Sequence, residues 1–137
     1  MKADSTQSIF ISAVVIIFRT ATFDEFIKNI AQVTGLQFNE ETSGRYDEIP
    51  AYEASTGEVN FLLLGPQDEE DEEYRLEVIC NTNSPLNLLI DQSGEFVRSF
   101  IHEKPMNAQG FMDFSQELAD ALMALGIRCC RSITAED

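Results

Sequence analysis

The feature that most constrains the fold of this chain is the apolar run Ile9–Phe18. It is ten residues long, rich in β-branched side chains, and contains Ser12 as its one polar residue. β-Branched residues pack well on a pleated surface, and a continuous apolar run is typical of a strand covered on both faces. The run is too short to cross a bilayer, which takes roughly 20 residues. We therefore expect a central strand with the rest of the chain packed on it.

The clearest helix follows this run, over residues 22–34. Thr22 precedes an apolar stripe at helical spacing, and Glu25 stands three residues later, which is the arrangement of a capping box. Gly35 stands where helices commonly end in the left-handed conformation. A second amphipathic stripe predicts a helix over residues 112–125. Its inward residues would be Phe114, Leu118, Ala121, Leu122 and Leu125.

Between these helices, residues 45–81 are interpreted as three strands in an antiparallel meander. Connections around Gly57 and after Gly65 separate runs that alternate or are continuously apolar. Pro50 would remove a ladder hydrogen bond from a central strand, so the first of the three strands belongs at an edge. A final alternation of apolar and polar residues over 127–133 predicts a last strand.

Residues 84–103 admit two interpretations. The apolar pairs Leu89–Ile90, Phe96–Val97 and Phe100–Ile101 suit a period near 3.6 and favour a helix. Gly94 costs roughly 1 kcal/mol inside a helix, and the alternative is a hairpin that turns there. We favour a helix that is broken at this glycine.

The predicted order of elements is strand, helix, three strands, helical region, helix and strand. This order is typical of an α+β domain in which helices cover a twisted mixed sheet, and 137 residues suffice for one such domain without disulfides or metals. The first strand would lie near the centre of the sheet, and a parallel pairing of the last strand beside it is one arrangement that the order allows. Residues 1–8 and 134–137 are expected to fray.

Acidic residues outnumber basic ones by 24 to 9, which gives a formal net charge of −15. Such a charge keeps a protein soluble and repels nucleic acid and anionic membranes. Three cysteines without metal-binding spacing, Cys80, Cys129 and Cys130, are interpreted as free thiols of a reducing compartment. We therefore predict a cytoplasmic protein that has no targeting segment and binds neither nucleic acid nor a membrane.

No catalytic or metal-binding motif accompanies this charge. His102, the only histidine, has the neighbours of a helix end and is expected at the surface. The six consecutive acids at 68–73 lack the alternate spacing and the glycine of a calcium loop. Glu117 and Asp120 are expected to be solvated. We accordingly predict a protein without enzymatic activity, metal, cofactor or small-molecule substrate.

The acidic run itself has two interpretations. Charged residues in a hairpin loop can simply keep a sheet edge soluble. Alternatively, the run forms part of a negative face that docks on a basic protein and mimics the phosphates which that protein binds, with tyrosines as anchors. The contacting residues would then be Asp68, Glu69, Glu70, Asp71, Glu72, Glu73, Glu40, Glu41, Asp47, Glu48, Tyr46, Tyr52 and Tyr74.

In its size, charge and order of elements, the chain resembles the immunity proteins of bacterial polymorphic-toxin and contact-dependent growth inhibition systems. The resemblance implies a one-to-one complex with a cognate basic toxin domain, often a nuclease, whose active site or substrate surface is blocked. Two other classes stay open. One is a general acidic adaptor or nucleic-acid mimic for another basic protein, and the other is a small enzyme of unrecognised type.

Overall fold

The computed structural model of the protein describes residues 9–18, 22–40, 50–65, 73–127 and 130–132. The described strands form one mixed seven-stranded sheet, so the α+β prediction is confirmed. The strands are β1 (Ile9–Phe18), β2 (Asn39–Glu40), β3 (Ala51–Thr56), β4 (Val59–Leu64), β5 (Glu73–Thr82), β6 (Met112–Asp113) and β7 (Cys130–Ser132). The helices are α1 (Phe23–Thr34), α2 (Leu86–Gln92), α3 (Gly94–Arg98) and α4 (Ser115–Ala124). Within these residues, no helix combines the length and the hydropathy that crossing a membrane requires.

Strand β1 has neighbours along both of its edges. On one edge it pairs antiparallel with β5 over its whole length, from Ile9 opposite Thr82 to Phe18 opposite Glu73. On the other edge it pairs parallel with β6 and antiparallel with β7. The parallel pairing considered for the last strand is therefore wrong. After α4 the chain reaches the C-terminal half of β1, where Cys130 lies opposite Ile17. From there β7 runs toward the N-terminal end of β1, so the two strands are antiparallel.

A serine hydroxyl fills the gap between the two short partners of β1. On that edge β6 pairs with residues 11–12 and β7 with residues 15–17, so no described strand lies opposite the Val14 amide. The amide donates to Ser115 Oγ at 2.9 Å, and this hydroxyl donates to Asp113 Oδ1 at 2.6 Å. Ser115 is 2% exposed and Val14 is half-buried, so the bond satisfies a partly buried backbone amide that no described strand pairs. It also ties the start of α4 to β1.

One face of the sheet carries the core. In β1, Ile11, Ala13, Val15 and Ile17 are buried, and they join one cluster with buried residues from α1, α2, α3 and α4. On the opposite face Phe10 is 40% exposed. The expectation that β1 is covered on both faces is therefore met only in part: on the second face Ile16 is 6% exposed, whereas Phe18 is 41% exposed.

Helix α1 begins and ends as the sequence predicts. The Thr22 side chain accepts a hydrogen bond from the Glu25 amide at 3.2 Å and donates one to Glu25 Oε1 at 3.0 Å. At the other end Gly35 has φ 76°, and its amide donates to the Ala31 carbonyl oxygen at 2.9 Å. Both signals are local, which explains why the predicted bounds are confirmed.

The helical interpretation of residues 84–103 is confirmed, and the hairpin is wrong. The break falls at Ser93 and Gly94, where the glycine has φ 88°. Thr56 Oγ1 donates to the Ser93 carbonyl oxygen at 2.6 Å and anchors the break to the β3–β4 turn. The helical part ends at Arg98, earlier than predicted, and residues 99–104 continue as a turn followed by an irregular segment.

The antiparallel meander of β3, β4 and β5 is confirmed. Its first strand begins after Pro50, and residues 45–49 lie outside the described residues. Short β2 pairs with Tyr52 and Glu53, so β3 is not the edge strand that the proline predicted. The proline is tolerated because it precedes the paired residues.

Helix α4 is shorter than its apolar stripe. It begins at Ser115, because the two residues Met112–Asp113 form β6 first. Leu118 and Leu122 are fully buried as predicted. Leu125 is 41% exposed, so its predicted inward position is wrong.

Candidate functional site

The two acidic segments predicted to contact a partner are attached to the sheet at one point. Residues 41–49 lead into Pro50, and residues 66–72 follow Gly65. The Gly65 amide donates to the Pro50 carbonyl oxygen at 2.7 Å. The two attachment points are thus hydrogen-bonded neighbours at the start of β3 and the end of β4.

Four described acids lie at this end of the sheet. Asp24 and Glu25 follow Phe23, whose ring lies so close to Gly65 that an added Cβ would come within 2.9 Å of it. Glu40 ends β2 and Glu73 begins β5. All four acids are exposed. We call Asp24, Glu25, Glu40 and Glu73, together with the attached segments 41–49 and 66–72, the acidic end.

The structure describes four of the predicted contact residues. Glu40 and Glu73 are exposed at the acidic end. Tyr52 is half-buried, packs against the core, and meets the ring of Phe23 edge-on at 5.8 Å between centroids. The other nine lie outside the described residues: Glu41, Tyr46, Asp47, Glu48, Asp68, Glu69, Glu70, Asp71 and Glu72.

Tyr74 is the one predicted contact residue that the structure excludes from the surface. It is 1% exposed and packs against Phe23 and Phe26, with ring centroids at 5.1 and 4.8 Å. In the sheet it lies opposite Ile17, on the core face. The sequence already indicated this orientation, because alternate residues of a strand share one face, and Tyr74 alternates with Leu76, Val78 and Cys80. The assignment of Tyr74 as a partner anchor is therefore wrong.

Few described acids are neutralised by a basic side chain. Arg75 Nε lies 2.7 Å from Glu77 Oε2, and Lys104 Nζ lies 2.5 Å from Glu117 Oε2. Glu117 was expected to be solvated, and that expectation is wrong. Within the described ranges no basic group forms an ion pair with Asp24, Glu40, Glu53, Asp91 or Glu95. The surface potential of the fold is therefore strongly negative.

His102 lies at the surface, as predicted. Its side chain is 57% exposed, and its Nε2 lies 3.5 Å from Glu117 Oε2. Lys104 donates to the same carboxylate and to the Asp113 carbonyl oxygen, and its Nζ lies 4.7 Å from the centre of the Phe114 ring. These contacts hold the segment after α3 against α4. No group of three or more His, Cys, Asp or Glu side chains is placed to hold a metal ion in the part of the chain that the structure describes.

Cys80 is a buried free thiol, as predicted for that residue. Burial raises the pKa of the thiol to about 11, and the nearby Glu58 carboxylate adds to the shift. The thiolate is the form that reacts with alkylating agents. Cys80 should therefore be inert at neutral pH. The side chains of Cys129 and Cys130 lie outside the described residues.

We expect iodoacetamide to label Cys80 in the folded protein about 100-fold more slowly at pH 8 than in the urea-unfolded chain, since the thiolate is scarce and the site is closed. The measurement uses mass spectrometry of the C129S/C130S double variant, so that only one thiol is read. Labelling should accelerate as the pH rises toward 11, because that pH ionises the buried thiol. Equal rates in the folded and unfolded chains would contradict the burial.

A cavity of about 600 Å³ lies where the ends of α1 and α4 meet α3. It opens on the helical layer and includes none of the residues of the acidic end. Its described lining combines apolar side chains with polar groups and one carboxylate. The lining residues are Gln32, Val33, Thr34, Gly35, Glu95, Phe96, Ser99, Ala121, Ala124 and Leu125.

Comparisons of the chain with protein-family models, with curated proteins and with solved structures find no significant match.

Proposed function

We propose that this protein binds a basic protein domain through its acidic end and blocks it, in the way of the immunity proteins that it resembles. The observation that carries the proposal is the hydrogen bond from the Gly65 amide to the Pro50 carbonyl oxygen. It joins the attachment points of two acidic segments that are separate in the sequence. The chain therefore enters one segment and leaves the other at neighbouring residues of the sheet.

The charge of the acidic end favours a cationic partner. Segment 66–72 carries five acids and no base, and Asp24, Glu25, Glu40 and Glu73 flank its attachment point. A concentrated charge of one sign raises the association rate with an oppositely charged surface by roughly 10- to 1,000-fold. A protein that binds phosphates has such a surface, and carboxylates that cover it exclude its substrate.

Specificity requires more than charge, because charge alone attracts many basic proteins. Tyr52 supplies a half-buried aromatic ring beside Glu40 on the neighbouring strand. Aromatic rings at the centre of an interface commonly carry much of the binding energy. We assign Tyr52 the role of an apolar anchor inside the acidic end.

The first test is co-expression with the product of the adjacent reading frame, which the proposal expects to be a toxin domain. We expect the two proteins to co-purify at a one-to-one ratio, and we expect the growth defect caused by the toxin domain alone to disappear. Co-purification of many unrelated nucleic-acid-binding proteins would contradict a cognate pair and favour a general acidic adaptor. Persistence of the growth defect would contradict neutralisation.

The second test places the interface. In the D68K/E70K/E72K variant we expect association with the inactivated toxin domain, measured by surface plasmon resonance at low salt, to slow roughly tenfold or more. Its dependence on salt concentration should also weaken.

The matched control is the D91K/E103K/D120K variant, which makes the same change in net charge at exposed acids that flank neither segment. Circular dichroism confirms that each variant folds. Equal association rates for the two variants would show that net charge matters and that the acidic end does not.

A further inference from the structure

The cavity at the ends of α1 and α4 has an unusual electrostatic character. The last turn of each helix contains no basic residue. A helix C-terminus carries about half a negative elementary charge, so two negative ends border the same space. The Gln32, Val33 and Thr34 carbonyl oxygens accept no hydrogen bond from the part of the chain that the structure describes. These are acceptors that a donor in the cavity can satisfy.

A carboxylate adds to this negative potential. Glu95 lines the cavity from the first turn of α3 and forms no ion pair within the described ranges. The described lining contains no basic side chain. Lys28 on α1 and Arg98 on α3 are the bases carried by the same helices, and neither lines the cavity.

The remaining walls are apolar. Val33, Phe96 and Ala121 come from three different helices, Leu125 directly follows α4, and all four residues line the same space. Such walls suit an alkyl chain, whose burial is favourable by about 0.8 kcal/mol for each methylene group. An occupant without donors would leave the carbonyl oxygens unsatisfied, which is costly. An anionic occupant would be repelled by Glu95 and by both helix ends.

We propose that this cavity binds an alkyl chain that ends in a guanidinium group, supplied as an arginine side chain of a protein partner. The planar guanidinium carries five donors and holds its charge at every physiological pH. It can therefore meet the carbonyl oxygens at the end of α1 and the Glu95 carboxylate together. The three-carbon stem of arginine would lie along Val33, Phe96 and Leu125. This site is separate from the acidic end. The proposal can therefore be confirmed or refuted without reference to the proposed function.

The experiment titrates the full ¹⁵N-labelled chain with butylguanidinium and follows the backbone amide resonances. We expect saturable shifts at residues 33–35 and at Leu125. Butylurea has almost the same shape and no charge, so it should bind at least tenfold more weakly. Butyrate should give no shifts at these residues. Equal affinities for butylguanidinium and butylurea would overturn the proposal.

Two variants locate the binding. Glu95→Lys places a competing cation at the cavity and should abolish the shifts. Glu103→Lys makes the same change in charge at an exposed residue outside the lining, and it should leave the affinity within about twofold. Shifts that persist in Glu95→Lys would overturn the site.

A last comparison separates the sources of the cation. N-acetyl-arginine methylamide presents the side chain as a protein does, and we expect it to bind as butylguanidinium does. If only the free alkylguanidinium bound, a protein side chain would be excluded as the occupant. Failure of this whole series would leave the charge-reversal results at Asp68, Glu70 and Glu72 unaffected, because none of these probes reports on the acidic end.

Discussion

Replacing Tyr74 with alanine is expected to lower the free energy of unfolding by about 3–5 kcal/mol, the usual cost of removing a large buried aromatic ring. Its ring is 1% exposed and packs against the rings of Phe23 and Phe26. The Phe23 ring also packs closely on Gly65, which limits its movement into the space that the variant would leave. Domains of this size have a total stability of about 5–15 kcal/mol, so the variant should be close to unfolding at 37 °C.

Urea denaturation followed by circular dichroism measures this cost. Tyr52→Ala is the matched control, because it removes the same side chain from the neighbouring half-buried site and should cost less than about 2 kcal/mol. The two variants also separate stability from binding. A Tyr74→Ala protein that stayed fully stable and failed to bind a partner would show that Tyr74 contacts the partner and does not stabilise the core. A Tyr52→Ala protein that stayed folded and bound weakly would support the anchor at the acidic end.

Elements with local signals could be predicted from the sequence. The Thr22 cap and the Gly35 stop fixed α1, since each acts within one helical turn. The break near Gly94 was predicted for the same reason. The length of β1 followed from its apolar run, because polar or charged residues border that run on both sides.

Pairings between distant residues could not be predicted in this way. Nothing in the sequence shows that Ser115 bonds to Val14, or that two short strands share one edge of β1. These contacts depend on where α4 leaves and rejoins the sheet, which is decided by packing. The apolar continuity of β1 was misleading for a related reason. An apolar second face can stay partly open when the helices gather on the other side.

In the candidate site, too, local features could be predicted from the sequence and contacts between distant residues could not. The acidic composition of segments 41–49 and 66–72 was visible at once, but their attachment at one point depends on the register of β3 against β4. The alternation of residues along β5 already indicated that Tyr74 faces the core. The hypothesis of an acidic contact surface nevertheless placed Tyr74 in contact with a partner. The cavity had no sequence signal, because its walls come from the ends of three separate helices.

The second large effect concerns α4. Leu118→Ala is expected to lower the free energy of unfolding by about 2–5 kcal/mol, because the side chain is fully buried in the core. Leu125→Ala removes the same atoms seven residues later, which is the same face of an ideal helix. We expect it to cost less than about 1 kcal/mol, since Leu125 is 41% exposed and lies past the last helical residue.

The same urea titrations measure this difference. Similar costs for the two variants would mean that α4 continues through Leu125 and buries it, and the cavity would then lack one of its walls. A small cost leaves Leu125→Ala folded and usable in the butylguanidinium titration. In that titration we expect Leu125→Ala to bind butylguanidinium about threefold or more weakly, because the shorter side chain covers less of the alkyl chain. Unchanged affinity in this folded variant would place the alkyl chain elsewhere in the cavity.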